Sequence, residues 1–99
     1  MINKDKSITN LIERLKLIIN LSLIQIVDYW EADLCAIGLK KDNKLIYIST
    51  YSYDVNNIKY DYDLEIINQE KEDSINVVKE VRSKSEDELV KDIRLFLEV

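Results

Sequence analysis

The sequence predicts an α+β domain: an antiparallel twisted sheet of four to five strands, flanked by an N-terminal and a C-terminal helix. Apolar residues recur at helical spacing near both ends of the chain. The middle is rich in β-branched and aromatic residues that alternate with polar ones, which is typical of strands. Short polar turns separate these runs, which implies antiparallel pairing. The 99 residues fit a single domain, residues 1–99.

The first element is a helix predicted at about Ser7–Ser22. Its apolar stripe comprises Ile8, Leu11, Ile12, Leu15, Ile18 and Ile19. Ser7 can cap this helix because its hydroxyl can accept a hydrogen bond from a free backbone N–H of the first turn. Asn10 followed by Glu13 offers a second start.

The strands occupy the middle of the chain. We predict them at Leu23–Trp30, Leu34–Lys40, Leu45–Tyr53 and Ile58–Ile67, with a fifth suggested by the alternation of Ile75–Arg82. The second run is mostly apolar, which predicts a central strand. Gly38 within it indicates a bulge or a close approach by a large side chain. Lys41–Lys44 is a predicted hairpin turn because Asp and Asn tolerate turn geometry.

The run Ile58–Ile67 has the clearest alternation. Even-numbered positions are apolar or aromatic, and odd positions 59–65 are charged, so one face is expected to pack and the other to face water. The tyrosines at positions 47, 60 and 62 are interpreted as core residues or cross-strand pairs. Beyond the strands, Ser85–Glu88 forms a capping box for a helix whose apolar stripe is Leu89, Ile93, Phe96 and Leu97.

The composition lacks the residues on which most catalytic sites depend. Histidine is absent and Gly38 is the sole glycine, which excludes imidazole-based catalysis, histidine metal sites and a glycine-rich phosphate loop. We therefore predict that the chain is not an enzyme and binds no cofactor. Cys35, the single cysteine, is expected to be a buried, inert thiol that suits a cytoplasmic protein. No secretion signal or membrane-spanning run is evident, so no membrane partner is expected.

Negative charge is concentrated in the predicted sheet. The chain carries 14 basic and 19 acidic residues, a net charge of -5, and residues 24–73 hold five of the basic and eleven of the acidic ones. Such a surface repels nucleic-acid phosphate, so no nucleic-acid partner is predicted. It favours a basic protein partner.

Two acidic clusters are candidate binding residues. The first is Asp28, Glu31 and Asp33 around Trp30. One interpretation of this cluster is a solvated turn beside a partly buried tryptophan. The other is a partner-binding corner in which the tryptophan supplies contact area. A Mg²⁺ or Ca²⁺ site is a minor alternative, and the spacing matches no EF-hand loop.

The second cluster lies on the fourth strand. Asp61, Asp63 and Glu65 share one face, and the preceding residues Tyr51, Tyr53 and Asp54 are expected beside them. The wet face of an antiparallel sheet explains this pattern, and so does a surface that imitates a nucleic-acid backbone. Both interpretations stay open at this point.

The runs IVDYWEADLCAIGL, KLIYISTYSYD and KYDYDLEII, followed by a short amphipathic helix, resemble small bacterial immunity proteins. These proteins accompany polymorphic toxins, including those of contact-dependent growth inhibition systems. The resemblance covers about Ile26 to Val99. It implies a cytoplasmic antitoxin, a monomer or one half of a 1:1 heterocomplex, that binds and neutralises a cognate toxin domain, often a nuclease. It assigns no residue a role.

The hypothesis is therefore an immunity protein that contacts a basic toxin through both acidic clusters, with Trp30, Tyr51 and Tyr53 as apolar anchors. Two alternatives remain. One is a small metal-dependent hydrolase built on carboxylates. The other is a structural subunit that pairs through an edge strand.

Overall fold

The computed structural model describes residues 4–28, 33–50, 56–68 and 74–99. It confirms the predicted α+β fold, a five-stranded antiparallel sheet with a helix at each end of the chain. The elements in chain order are α1 (Lys6–Ile18), a short 3₁₀ turn (Leu21–Leu23), β1 (Gln25–Val27), β2 (Ala36–Lys41), β3 (Lys44–Ser49), β4 (Tyr60–Asn68), β5 (Ser74–Lys84) and α2 (Glu86–Leu97).

The sheet is a meander in which each strand pairs with its neighbours in sequence, in the order β1-β2-β3-β4-β5. The β2–β3 hairpin closes at the pair Lys41 and Lys44, as the turn residues predict. Asp42 in this turn has a φ of 55°, a left-handed conformation that aspartate tolerates better than most residues. β2 lies inside the sheet, although the central strand is β3.

The hydrophobic core lies between the two helices and one face of the sheet. α1 contributes Ile8, Leu11, Ile12 and Leu15, and α2 contributes Leu89, Ile93 and Leu97. The strands contribute Ile37, Leu39, Ile46, Ile48, Tyr60, Tyr62, Leu64 and Val81. The core positions of Tyr60 and Tyr62 are confirmed, as is the predicted stripe of α2. The predicted stripe of α1 is confirmed at its buried residues, but it is wrong at Ile18, which is 47% exposed. The other sheet face is turned away from the helices.

The N-terminal helix differs from the prediction at both ends. Its N-cap is Asp5, whose carboxylate accepts a 2.9 Å hydrogen bond from Ser7 N, so the predicted capping role of Ser7 is wrong. A carboxylate there also interacts favourably with the positive end of the helix dipole. The helix ends at Ile18, four residues before the predicted end at Ser22, because Asn20 begins the separate 3₁₀ turn.

The capping box of α2 is confirmed. Ser85 Oγ accepts a hydrogen bond from Glu88 N at 3.3 Å, and Ser85 N donates to Glu88 Oε1 at 3.4 Å. Three acidic residues occupy the first turn and Arg94 lies in the last turn. Both placements suit the helix dipole.

The five predicted strands are present, but their lengths differ from the prediction. β1 is confined to Gln25–Val27, much shorter than the predicted Leu23–Trp30. β3 ends at Ser49, and the predicted continuation at 51–53 lies outside the described residues. β5 extends over 11 residues.

Gly38 is a point of close approach. A Cβ atom added to it would lie 2.6 Å from Val27 Cγ2, 3.0 Å from Leu45 Cδ1 and 3.4 Å from Tyr47 Cδ1. These three side chains therefore occupy the space above the glycine on the face away from the helices. The pairing of Gly38 with Val27 and Tyr47 is regular, so the close approach is confirmed and a bulge is not.

Candidate partner-binding face

The structure describes five of the ten predicted binding residues: Asp28, Asp33, Asp61, Asp63 and Glu65. The other five, Trp30, Glu31, Tyr51, Tyr53 and Asp54, lie outside the described residues.

Asp61, Asp63 and Glu65 form one row along β4, on the sheet face away from the helices. We call these three residues the acidic row. The sheet register places them opposite Ser49, Tyr47 and Leu45 of β3, respectively. On the other side, Asp63 faces Glu80 of β5. The alternation alone predicted a face exposed to water. In the structure, all three carboxylate residues are instead partly buried.

Asp63 has a cationic neighbour. Arg82 Nη1 donates to Asp63 Oδ1 at 3.0 Å, and Arg82 Nη2 lies 3.9 Å from Glu80 Oε2. Arg82 and Asp63 border a shallow cavity of about 210 Å³, whose other lining residues are Tyr47, Ser49, Asp61 and Tyr62. The guanidinium offsets part of the negative charge of the row. Its side chain is 52% exposed, so the ion pair is a surface one.

Asp61 supports a bulge in β5. Tyr60 pairs with Lys84 and Tyr62 with Val81. Between these two pairs β5 therefore contains one residue more than β4 does. Ser83 in the bulge has a φ of 58°. Its N–H donates to Asp61 Oδ1 at 3.0 Å, which satisfies a backbone group that the regular ladder does not use. The side chain of Asp61 therefore holds the backbone of the neighbouring strand.

Glu65 has a different environment. It forms no ion pair with any residue in the part of the chain that the structure describes. Burial, and then the negative charge of Asp63, raise the pKa of its carboxyl above the usual range. Its ionised form is thus disfavoured in the isolated domain. A positive charge brought close to it would remove that penalty.

Tyr47 links the acidic row to the first cluster. Its hydroxyl oxygen is shielded from solvent and makes no hydrogen bond to the residues that the structure describes. Burial and the negative charges of Asp33, Asp28 and Glu65 raise the pKa of Tyr47 to about 12. The sequence placed Tyr47 among core or cross-strand tyrosines. Its pairing with Asp63 confirms the cross-strand position, but its place between two groups of acids was not predicted.

Asp28 and Asp33 lie at the two ends of the β1–β2 connection. Asp28 Oδ1 is 2.7 Å from Lys4 Nζ, and the Asp33 backbone carbonyl accepts from the same ammonium at 2.6 Å. Asp33 Oδ1 also accepts from Cys35 N at 3.1 Å. Sequence reasoning missed Lys4, because nothing in a polar N-terminal segment signals that a lysine will be buried.

Cys35 differs from its prediction. It is half-buried, not buried, and it precedes β2 rather than lying within it. Its carbonyl accepts from Thr50 N at 2.9 Å, so the residue joins the start of β2 to the end of β3.

A second cavity of about 390 Å³ lies between β5 and α2. Both basic and acidic side chains line it: the basic ones are Lys79, Arg82, Lys84 and Lys91, and the acidic ones are Glu80, Glu88 and Asp92. Asp92 is engaged by the Tyr62 hydroxyl, and Lys84 lies 3.3 Å from Glu88. Because both signs of charge line the cavity, it does not indicate whether a ligand would be an anion or a cation.

Among residues 4–28, 33–50, 56–68 and 74–99, no three acidic, cysteine or histidine side chains are grouped as a metal ion would require. None of the helices in these ranges is both long and apolar enough to cross a membrane.

Comparison with protein-family models, curated proteins and solved structures gave no match to this chain.

Proposed function

We propose that this chain is an immunity protein that binds a cognate toxin domain, a basic nuclease, and neutralises it stoichiometrically. In this proposal it acts in the cytoplasm as a monomer that forms a 1:1 complex. The acidic row of β4 supplies the charged part of the contact surface. The resemblance of the sequence to immunity proteins and the absence of histidine from the chain support this class over a catalyst.

The observation that carries the proposal is the state of Glu65. Its carboxylate is half-buried beside Asp63, and the described residues place no cation against it. An ionised carboxylate in this position lowers the stability of the isolated domain. A lysine or arginine of a partner would reverse that effect. Contact between the acidic row and a basic surface therefore explains why a carboxylate occupies this unfavourable position.

The proposed inhibition follows from charge and shape. A nuclease must hold phosphate groups with basic side chains, and carboxylates spaced along a strand can occupy the same side chains. The Arg82–Asp63 pair does not prevent this, because an exposed ion pair contributes at most about 1 kcal/mol and is readily exchanged. Well-matched charge pairs across an interface reach coupling energies of roughly 1.5–7 kcal/mol.

The test is binding to the toxin domain encoded by the adjacent reading frame. Calorimetry with the wild-type chain should give 1:1 binding that weakens as salt rises, since the attraction is electrostatic. Glu65→Gln and Asp63→Asn should each weaken binding at least tenfold and reduce the salt dependence. Glu13→Gln is the matched control, because Glu13 is an exposed residue on α1.

Folding and binding effects are separable at Glu65. Because the raised pKa means that the folded state disfavours the ionised carboxylate relative to the unfolded chain, Glu65→Gln should leave stability at pH 7 unchanged or slightly increased. Loss of binding by this variant is therefore a surface effect. If Glu65→Gln, Asp63→Asn and Glu13→Gln all bind as tightly as wild type, the acidic row is not the contact surface.

The two alternatives have separate tests. Titration with Mg²⁺, Mn²⁺ and Ca²⁺ at millimolar concentration would detect the metal site that a carboxylate hydrolase needs. Light scattering would detect pairing through an edge strand. The β5 edge carries exposed Val77 and Val78, but Val78 and the residues near Ser83 form bulges that interrupt its register. Bulges of this kind protect edges against pairing.

A further inference from the structure

α2 packs mainly against two strands of the sheet, β3 and β4. The cavity of about 390 Å³ lies on the side of α2 that is turned toward β5. Val81 lines this cavity and pairs with the core residue Tyr62. The cavity is therefore on the helix-bearing face of the sheet, opposite the acidic row. We call it the β5–α2 groove.

The two carboxylates that α2 places in the groove already have donors within the fold. Asp92 Oδ2 accepts from the Tyr62 hydroxyl at 2.5 Å. Glu88 Oε1 accepts from Ser85 N at 3.4 Å as part of the capping box, and Glu88 Oε2 lies 3.3 Å from Lys84 Nζ. These acids are thus engaged in holding the helix, and they are less available to a ligand than the sign of their charge suggests.

Two lysines of the groove are in the opposite situation. Lys79 and Lys91 are exposed, and neither forms an ion pair with a residue that the structure describes. Arg82 differs from them, because it contacts Asp63 at 3.0 Å and Glu80 at 3.9 Å. Among the described residues, the positive charges of Lys79 and Lys91 are therefore the unmatched ones in the groove.

An apolar side chain extends the same side of α2. Leu95 follows Lys91 by four residues and Asp92 by three, and side chains at this spacing share one face of a helix. Leu95 is 67% exposed, and Val78, the neighbour of Lys79 in β5, is 57% exposed. Exposed apolar surface beside a groove is a feature of protein interaction sites.

We propose that the β5–α2 groove binds an acidic segment of a protein partner, whose carboxylates pair with Lys79 and Lys91 and whose apolar side chain covers Leu95. Charge complementarity selects this occupant, because the unmatched charges of the groove are cations. The net charge of -5 disfavours a nucleic acid in its place. The groove and the acidic row lie on opposite faces of the sheet, so both can be occupied at once. The inference does not depend on the proposed function.

The experiment is a residue-resolved NMR titration of the full chain with a capped peptide of alternating glutamate and leucine. Shifts should saturate at millimolar peptide and be confined to Lys79, Lys91, Leu95 and their neighbours. Binding should weaken at least threefold when salt is raised from about 50 mM to about 300 mM, since the attraction is between charges. The same peptide with glutamine in place of glutamate should bind at least tenfold more weakly.

Variants of the groove make the test specific. Lys79→Met and Lys91→Met should each weaken binding at least threefold, because each removes a cation and keeps an apolar stem. Lys6→Met is the matched control, since Lys6 is an exposed lysine of α1, and it should bind the peptide like wild type. Glu65→Gln should also bind it like wild type, so failure of the groove is distinguishable from failure of the acidic row.

The proposal is overturned if the shifts do not saturate, or if both lysine variants bind as wild type does. Equal binding of the glutamine peptide would overturn it too, because the lysines would then select nothing. A single-stranded oligonucleotide that binds the groove more tightly than the peptide would make nucleic acid the occupant instead. Groove shifts that appear on concentrating the chain alone would make a second copy the occupant.

Discussion

The Tyr62 hydroxyl donates a 2.5 Å hydrogen bond to Asp92 Oδ2, and this contact joins the buried middle of β4 to α2. Tyr62 is 1% exposed. Its ring therefore fills the core while its hydroxyl reaches a carboxylate at the margin of the helix. Tyr60, two residues earlier, makes a related contact, because its hydroxyl donates to Glu86 Oε1 at 3.2 Å. Arg14 Nε donates to the same carboxylate at 2.8 Å, which brings α1 into the network.

Tyr62→Phe should lower the free energy of unfolding by about 1–2 kcal/mol, since it removes a hydrogen bond to a charged acceptor without leaving a cavity. Urea denaturation at pH 7 measures the change. Asp92→Asn is the matched control because it retains an acceptor for the hydroxyl, and it should cost less. A Tyr62→Phe variant as stable as wild type would show that the bond contributes nothing in water.

Alkaline pH should destabilise the domain through its tyrosines. Burial, together with nearby carboxylates, raises the pKa of Tyr62, Tyr60 and Tyr47 above the ordinary value of 10.0. A raised pKa in the folded state means that the folded protein holds these protons more tightly than the unfolded chain does. Their contribution is complete below pH 10 and is lost as the pH rises through the raised pKa values of the folded state, about 12 for Tyr47.

Urea midpoints between pH 8 and pH 11 test this expectation. Wild type should lose stability above pH 10, because the unfolded chain then releases tyrosine protons that the folded protein still holds. The difference between wild type and Tyr62→Phe isolates the tyrosine, and it should shrink as the pH rises. A constant difference up to pH 11 would contradict the raised pKa.

Gly38→Ala should destabilise the sheet by about 1–3 kcal/mol, because the added methyl group overpacks a filled space. The tightest contact would be with Val27 Cγ2 at 2.6 Å. Val27→Ala removes that atom, so the double variant Gly38→Ala/Val27→Ala should be more stable than the sum of the single changes predicts. Thermal unfolding of the four proteins gives the coupling. Simple additivity would mean that Val27 does not restrict the site.

The sequence predicted the features that depend on neighbours along the chain. The spacing of Ile8, Leu11 and Leu15 identifies one helix face, and the Ser85–Glu88 box identifies the start of α2, because both signals arise within a few residues. Alternation along β4 likewise placed Tyr62 and Asp63 on opposite faces of the sheet. Local periodicity determines which face a residue shares, and here that was sufficient for the fold class.

Long-range pairs were beyond such reasoning. Lys4 and Asp33 are 29 residues apart, and no local pattern specifies that they meet. The bulge at Ser83 likewise depends on Asp61 in another strand. The acidic row was correctly placed on one face, but its pairing with Arg82 and its partial burial follow from strand register. The binding roles assigned to Asp61, Asp63 and Glu65 stay predictions.

Asp61 and Arg82 should differ in their effect on stability, although both border the same cavity. Asp61→Ala removes the acceptor of the Ser83 N–H in the bulge, and we expect a cost of about 1–2 kcal/mol. Arg82→Ala removes a half-exposed ion pair and should cost less than about 1 kcal/mol. Urea denaturation of both variants measures the contrast.

Ser83→Gly provides the control for the bulge. Glycine adopts a φ of 58° without the strain that serine meets, so the bulge should depend less on Asp61 when residue 83 is glycine. Asp61→Ala should then cost less in the Ser83→Gly background than in wild type. An equal cost in both backgrounds would mean that Asp61 acts on stability through other contacts. If the bulge does depend on Asp61, substitutions of Asp61 alter the neighbouring strand. Binding measurements on the acidic row are then best made at Asp63 and Glu65.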